Sequence, residues 1–178
     1  YSTEYLYKGM KKYAHHVSEY EIKDIYNFDL KDDKHFNECI RYSDGNGENI
    51  PVKPYLDIDM PIDHYYKYFN NENKLNCMVR DLIDEYLGFL GFSIQQSKAI
   101  VLESHIDVKK SFHVIFNNIH FSSNIYQKTA IDQFLKENPH FKTIYRVDDT
   151  VYSSSRNFRM INQSKITKNN PLKICYFL

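Results

Sequence analysis

Asp57 and Asp59 stand two residues apart in the run Tyr55-Leu56-Asp57-Ile58-Asp59-Met60-Pro61. Alternate residues of a β-strand point to one face. A strand here sets both carboxylates side by side, with Leu56 and Ile58 on the opposite face. Carboxylates held that close repel unless a cation lies between them. A divalent metal suits the role, because carboxylate oxygens are hard ligands. The plain alternative is a solvated turn or a helix cap, where Asp-x-Asp is common. The flanking Tyr55, Leu56 and Ile58 favour a half-buried strand, which Pro61 ends.

A second group follows in Lys109-Lys110-Ser111-Phe112-His113-Val114-Ile115-Phe116. Strand alternation puts Lys109, Ser111, His113 and Ile115 on one face and Phe112, Val114 and Phe116 on the other. The first three form a row of ammonium, hydroxyl and imidazole, all able to donate hydrogen bonds to phosphate oxygens. The competing reading is an edge strand with a polar face. A third group runs from Val147 to Met160, where Asp148 precedes Arg156 and Arg159. Arginine stays charged and grips phosphate with two parallel bonds; ordinary surface arginines are the alternative, and Phe158 between them reads as a packing anchor. From Val151 to Leu178 the cations are Arg156, Arg159, Lys165, Lys168 and Lys173, with no Asp or Glu. A site for a metal-bound polyanion needs both signs of charge together in space. The adjacent His15 and His16 read as solvated or packing side chains.

The elements that must position these groups are legible in part. Leu75, Met78, Val79, Leu82, Ile83, Tyr86 and Leu90 recur at helical spacing and predict a scaffold helix from about Lys74 to Leu90. Ala99 to Leu102 reads as a buried strand that ends at Glu103-Ser104-His105. A second amphipathic helix is expected over Asn124 to Glu137, its apolar side being Ile125, Ala130, Ile131, Phe134 and Leu135, with Pro139 just beyond. Ser43 to Asn49 is a loop by its turn residues, and the stretch after Pro61 reads as a polar connection. Residues 1–42 show only weak helical spacing, as at Ile22, Ile25 and Tyr26. Strands and helices in alternation imply a mixed α+β core.

Length and composition narrow the class. The 178 residues suffice for one domain with a real core or for two small lobes. The chain starts at Tyr1 and stops at Leu178, and reads as a piece of a longer protein. Formal net charge is zero, which argues against a protein that only coats nucleic acid. The run from Tyr86 to Phe92 is broken by Gly88 and Gly91, and no apolar stretch reaches membrane-spanning length. Cys39, Cys77 and Cys175 are dispersed, without zinc spacing. Such a set suggests buried free thiols in a reducing, intracellular compartment.

Taken in order, Asp57-Ile58-Asp59, Ser111-Phe112-His113, and Asp148 followed by Val151-Tyr152 and Arg156-Asn157-Phe158-Arg159 resemble the motifs of the archaeo-eukaryotic primase superfamily. The likeness is strongest to its primase-polymerase branch and to the primase domains of viral primase-helicases. It spans about Leu56 to Lys165. The resemblance implies a two-lobed α+β fold with an RRM-like catalytic sheet, and makes residues 1–178 a primase-polymerase catalytic domain without a clear linker. It implies that Asp57, Asp59 and Asp148 are catalytic and bind two divalent ions, Mg²⁺ or Mn²⁺. Lys109, Ser111 and His113 would hold the phosphates of the incoming nucleoside triphosphate, and Arg156, Arg159 and Lys165 would complete that pocket. The implied partners are single-stranded DNA template, nucleoside triphosphates and a fused or associated replicative helicase, with no membrane. The rival readings are a metal-dependent nuclease, a sugar-nucleotide transferase, or a nucleic-acid-binding module that has lost catalysis.

Overall fold

The computed structural model describes residues 2–15, 35–44, 46–165 and 169–178. The weak helical spacing at Ile22, Ile25 and Tyr26, and residues His16 and Lys168, lie outside these. The architecture is mixed α+β, with two four-stranded antiparallel sheets and five α-helices among the described residues.

The first sheet has the order β2-β1-β3-β7. Its strands are β1 (Ser2–Tyr7), β2 (Met10–His15), β3 (His35–Arg41) and β7 (Ser155–Arg159). Lys8 and Gly9 join β1 to β2 with φ of 50° and 75°, the pair of positive φ angles that a two-residue hairpin turn needs. The second sheet has the order β4-β6-β5-β8, built from β4 (Tyr55–Pro61), β5 (Ala99–Glu103), β6 (Lys109–Phe116) and β8 (Lys173–Phe177).

Helices fill the intervals of the second sheet. α1 (Ile62–Tyr68) starts directly after Pro61, where a polar connection was expected. α2 (Glu72–Phe89) carries the predicted stripe, with Leu75, Met78, Val79, Leu82, Ile83, Tyr86 and Leu87 buried. Asn71 caps its start, accepting from the N–H groups of Asn73 at 2.8 Å and Lys74 at 3.4 Å. Its end is a Schellman turn: Gly91 has φ +81°, and the N–H of Phe92 donates to Leu87 O at 2.9 Å. α3 (Ile94–Ser97) is a single turn. α4 spans the predicted Asn124–Glu137, and α5 (Pro139–Thr143) uses Pro139 in its first turn.

The core lies against the Leu56, Ile58, Met60, Phe112, Val114 and Phe116 face of the second sheet, all fully or almost fully buried. Tyr86 of α2 reaches Phe116 of β6 at 5.8 Å and Phe134 of α4 at 5.1 Å between ring centroids. Burial of this apolar face fixes the register of β4, because a slip by one residue would turn its aspartates into the core. The acid-bearing face is thereby directed the other way.

Two expectations need correction. Ile125 is exposed; the inner side of α4 is completed instead by Asn124 and Gln127, which are buried because they bond to Tyr55 Oη and Tyr55 O. The thiols are free, but Cys77 is exposed and Cys39 and Cys175 only half-buried. Among the described residues no helix is long and apolar enough to cross a membrane.

Candidate functional site

β4 and β6 pair antiparallel, with Asp57 opposite His113, Asp59 opposite Ser111 and Pro61 opposite Lys109. Residues directly opposite share a face of the sheet, so the acidic pair and the ammonium–hydroxyl–imidazole row meet. Ser111 Oγ donates to Asp59 Oδ1 at 2.8 Å. Lys109 Nζ reaches the same oxygen, also at 2.8 Å. His113 Nε2 stands 3.6 Å from Asp57 Oδ1.

The third aspartate arrives along the open edge of β4. Val147 bridges to Ile58, Asp59 N donates to Arg146 O at 3.1 Å, and Asp148 N donates to Asp57 O at 2.8 Å. Residues 146–148 thus act as a short extra edge strand. Asp148 Oδ1 accepts from Thr150 N at 2.8 Å and Thr150 Oγ1 at 2.6 Å, capping the 3₁₀ turn Asp149–Val151.

β7 supplies a cover over this face. Phe158 is buried, with its ring 4.4 Å from His113 and 4.8 Å from Tyr55 between centroids. It is the packing anchor its position between two arginines suggested. Tyr152 stacks on Tyr55 at 5.0 Å and donates its hydroxyl to Tyr55 O. Arg156 is half-buried, and its charge acts on Asp57. Arg159 is buried beside His113, but Nη1 donates to Ser104 Oγ and Asn170 O, each at 2.9 Å. Expected as a phosphate clamp, Arg159 is tied to the end of β5 and to the segment before β8. Lys165, whose residue surface is open while its ammonium is partly desolvated, influences Asp57, Asp59 and His113. All nine residues expected at the site therefore fall in one neighbourhood.

Their charges are strongly coupled. Burial, then the Asp59 and Asp148 carboxylates, push Asp57 up to about 7, against the pull of Lys165 and Arg156. Asp59 moves the other way. Burial is its largest single influence and raises it, yet the hydrogen bonds from Lys109 and Ser111 and the charges of Lys109 and Lys165 together hold it below its ordinary value. His113 is pushed down to about 3, first by burial and then by the Arg159 charge, so proximity to Asp57 does not protonate it. Lys165 is lowered by desolvation and by repulsion from Lys109 and Arg159.

The donor set fits a divalent cation. Asp57 Oδ1 is buried with no hydrogen-bond partner, a costly state for a carboxylate oxygen. It lies beside two further acids, and an ammonium already stands at one of them. Asp57, Asp59 and Asp148 could hold a metal through hard oxygen ligands. Among the described residues no group of three or more acids, histidines or cysteines is arranged to hold a metal ion as the side chains stand; Lys109 and Thr150 bond to two of these carboxylates.

Several contributors were not foreseen. Ser104, Asn170 and Thr150 hold Arg159 and Asp148 through contacts for which spacing gives no signal. His105 accepts from Ser111 N through Nδ1 at 3.2 Å and lies 3.5 Å from Glu103, so it orients the strand that carries the donor row. On the other face of β6, Lys110 binds Glu72 at 2.6 Å and lines an open cavity of about 590 Å³ with Tyr65, Tyr66, Glu72 and His105.

No family model matches this chain, and no curated protein matches it.

Proposed function

We propose that this chain is a DNA primase or primase-polymerase catalytic domain, which joins nucleoside triphosphates on a single-stranded template by two-metal nucleotidyl transfer. The observation that carries this reading is the meeting of Asp57, Asp59 and Asp148 with Ser111, His113, Arg156 and Lys165 around one face of β4 and β6. A nuclease or a sugar-nucleotide transferase accounts for the acids but leaves the donor row and the cations without a task.

β4, α2, β5, β6 and α4, followed by residues 146–148 beside β4, run in the order of an RRM-like sheet, with β8 added at the far edge. The two sheets would correspond to the two lobes of an archaeo-eukaryotic primase.

Bound to the three aspartates, two Mg²⁺ or Mn²⁺ ions would supply activation of a 3′-hydroxyl and neutralisation of departing pyrophosphate. Neutral His113 would donate a hydrogen bond to phosphate oxygens, Ser111 would do so once its hydroxyl turns from Asp59, and Arg156 and Lys165 would balance the charge gathered there. Arg159 acts at one remove, fixing β7 over the site. Phe158 packs on the His113 ring and keeps water from it, which strengthens the interactions made there. Two nucleotides aligned on such a surface gain from proximity. The template needs a basic, partly aromatic track. A replicative helicase, fused or associated, is the partner this function calls for, in an intracellular setting.

The test is incubation with labelled nucleoside triphosphates, single-stranded DNA and Mn²⁺. Template-dependent products are expected. Template degradation would favour a nuclease, and no turnover of either kind would favour a binding module.

A further inference from the structure

Asp59 Oδ1 receives two donors at once, Lys109 Nζ and Ser111 Oγ, each at 2.8 Å. A carboxylate oxygen has about two lone-pair directions, and both are engaged. The Lys109 ammonium therefore stands where a metal would ligate this oxygen. Once displaced, it would remain in a neighbourhood that already contains Lys165 and Arg159, whose charges oppose it. A bound polyphosphate gives it a new partner; bare water gives it a poorer one.

We propose that Lys109 is an internal counter-ion that holds the metal site closed to a divalent cation until a triphosphate draws its ammonium away from Asp59. The inference rests on the nucleotidyl-transfer reading above and assigns that site a binding order. Metal and nucleotide then bind with positive coupling, and the coupling is reciprocal. Lys110 makes the natural comparison. It sits next in sequence, carries the same charge, points to the opposite face of β6 and is held by Glu72.

The experiment is a titration of the whole chain with Mn²⁺ alone, without nucleotide, following free Mn²⁺ by its electron paramagnetic resonance signal. Wild type is compared with Lys109→Met, Lys109→Arg and Lys110→Met, each first checked for a cooperative thermal transition. Lys109→Met is expected to bind Mn²⁺ at least about fivefold more tightly than wild type, because a positive charge beside the divalent ion is gone. Lys109→Arg and Lys110→Met are expected to match wild type within about twofold. Unchanged or weaker binding by Lys109→Met overturns the inference while leaving the metal site intact. Equal tightening in Lys110→Met also overturns it, since the effect would then be one of general charge. If Lys109→Met binds no Mn²⁺ either, the inference is overturned, because removing the ammonium does not open the site; the proposed function is then judged separately by the assay with nucleoside triphosphates, template and Mn²⁺.

Discussion

The backbone N–H of Asp148 donates to the carbonyl of Asp57 at 2.8 Å, although the two residues are far apart in sequence. Through this bond the chain returns to the open edge of β4 and sets a third carboxylate beside an acidic pair already close together. The cost appears at Asp57, whose side chain is buried, unsatisfied at Oδ1 and raised to about 7. Gathering three carboxylates is unfavourable in itself; Lys109, Lys165 and Arg156 offset part of that repulsion, and the proposed cation would offset more.

Asp57→Asn and Asp148→Asn should each reduce template-dependent nucleotide incorporation by at least about a thousandfold, since each removes a charged metal ligand. Asn at position 148 keeps the oxygen that accepts from Thr150, so the cap and the thermal transition should persist. Incorporation at the wild-type rate by either variant would contradict the assignment.

Metal-free stability should show two opposing pH dependences. Asp57 binds its proton more tightly folded than unfolded, so it contributes stability at low pH that is lost as pH rises from about 3.8 to about 7. His113 binds its proton less tightly folded, so stability is lost as pH falls from about 6.5 to about 3. Each slope approaches about 1.4 kcal/mol per pH unit, and over their shared window the two oppose each other. Thermal or urea melts in chelator should find that Asp57→Asn gains over wild type as pH rises from 4 to 7. His113→Asn should gain over wild type as pH falls from 6.5. Differences from wild type that do not vary with pH would refute both environments.

His113→Ala should weaken triphosphate binding by roughly tenfold, the loss of one hydrogen bond to a charged group. Because burial keeps the imidazole neutral, wild-type affinity should show no His113 inflection near pH 6.5. Equilibrium binding of a fluorescent nucleotide across pH checks both points. Unchanged affinity in the variant would remove His113 from the phosphate site.

The two arginines should separate. Arg159→Ala breaks bonds to Ser104 Oγ and Asn170 O in a buried position, and should cost about 2–4 kcal/mol in a urea melt. Arg156→Ala should leave the urea midpoint nearly unchanged and weaken nucleotide binding. Equal stability losses would show that Arg156 too is a buttress.

The sequence predicted much of this arrangement where side chains alternate or recur strictly. β4, β6 and α4 have the expected bounds; in β4 and β6 strict alternation marked the apolar face, whereas in α4 the inner face also takes the buried Asn124 and Gln127. α1 and α5 were missed because 7 and 5 residues are too short to set up a helical stripe. Pro61 and Pro139 read as terminators, yet each also stands at the start of a helix. The β1–β2 hairpin mixes Tyr and Lys without clean alternation. At the site, residue types and strand parity identified the acids and the donor row. They could not show that Arg159 would turn to Ser104 and Asn170, nor that Lys109 would close on Asp59, since both depend on which chain segments meet.

The adjacent pair Asp57 and Asp59, the distant Asp148 and a row of donors are proposed to share one metal–triphosphate site. Anomalous scattering from a crystal of the chain soaked with Mn²⁺ and a non-hydrolysable nucleoside triphosphate tests it most directly. Manganese peaks within about 2.5 Å of oxygens from Asp57, Asp59 and Asp148, with phosphate against Ser111 and His113, are the predicted result. Manganese that ignores Asp148, or a nucleotide bound away from this face, would contradict it.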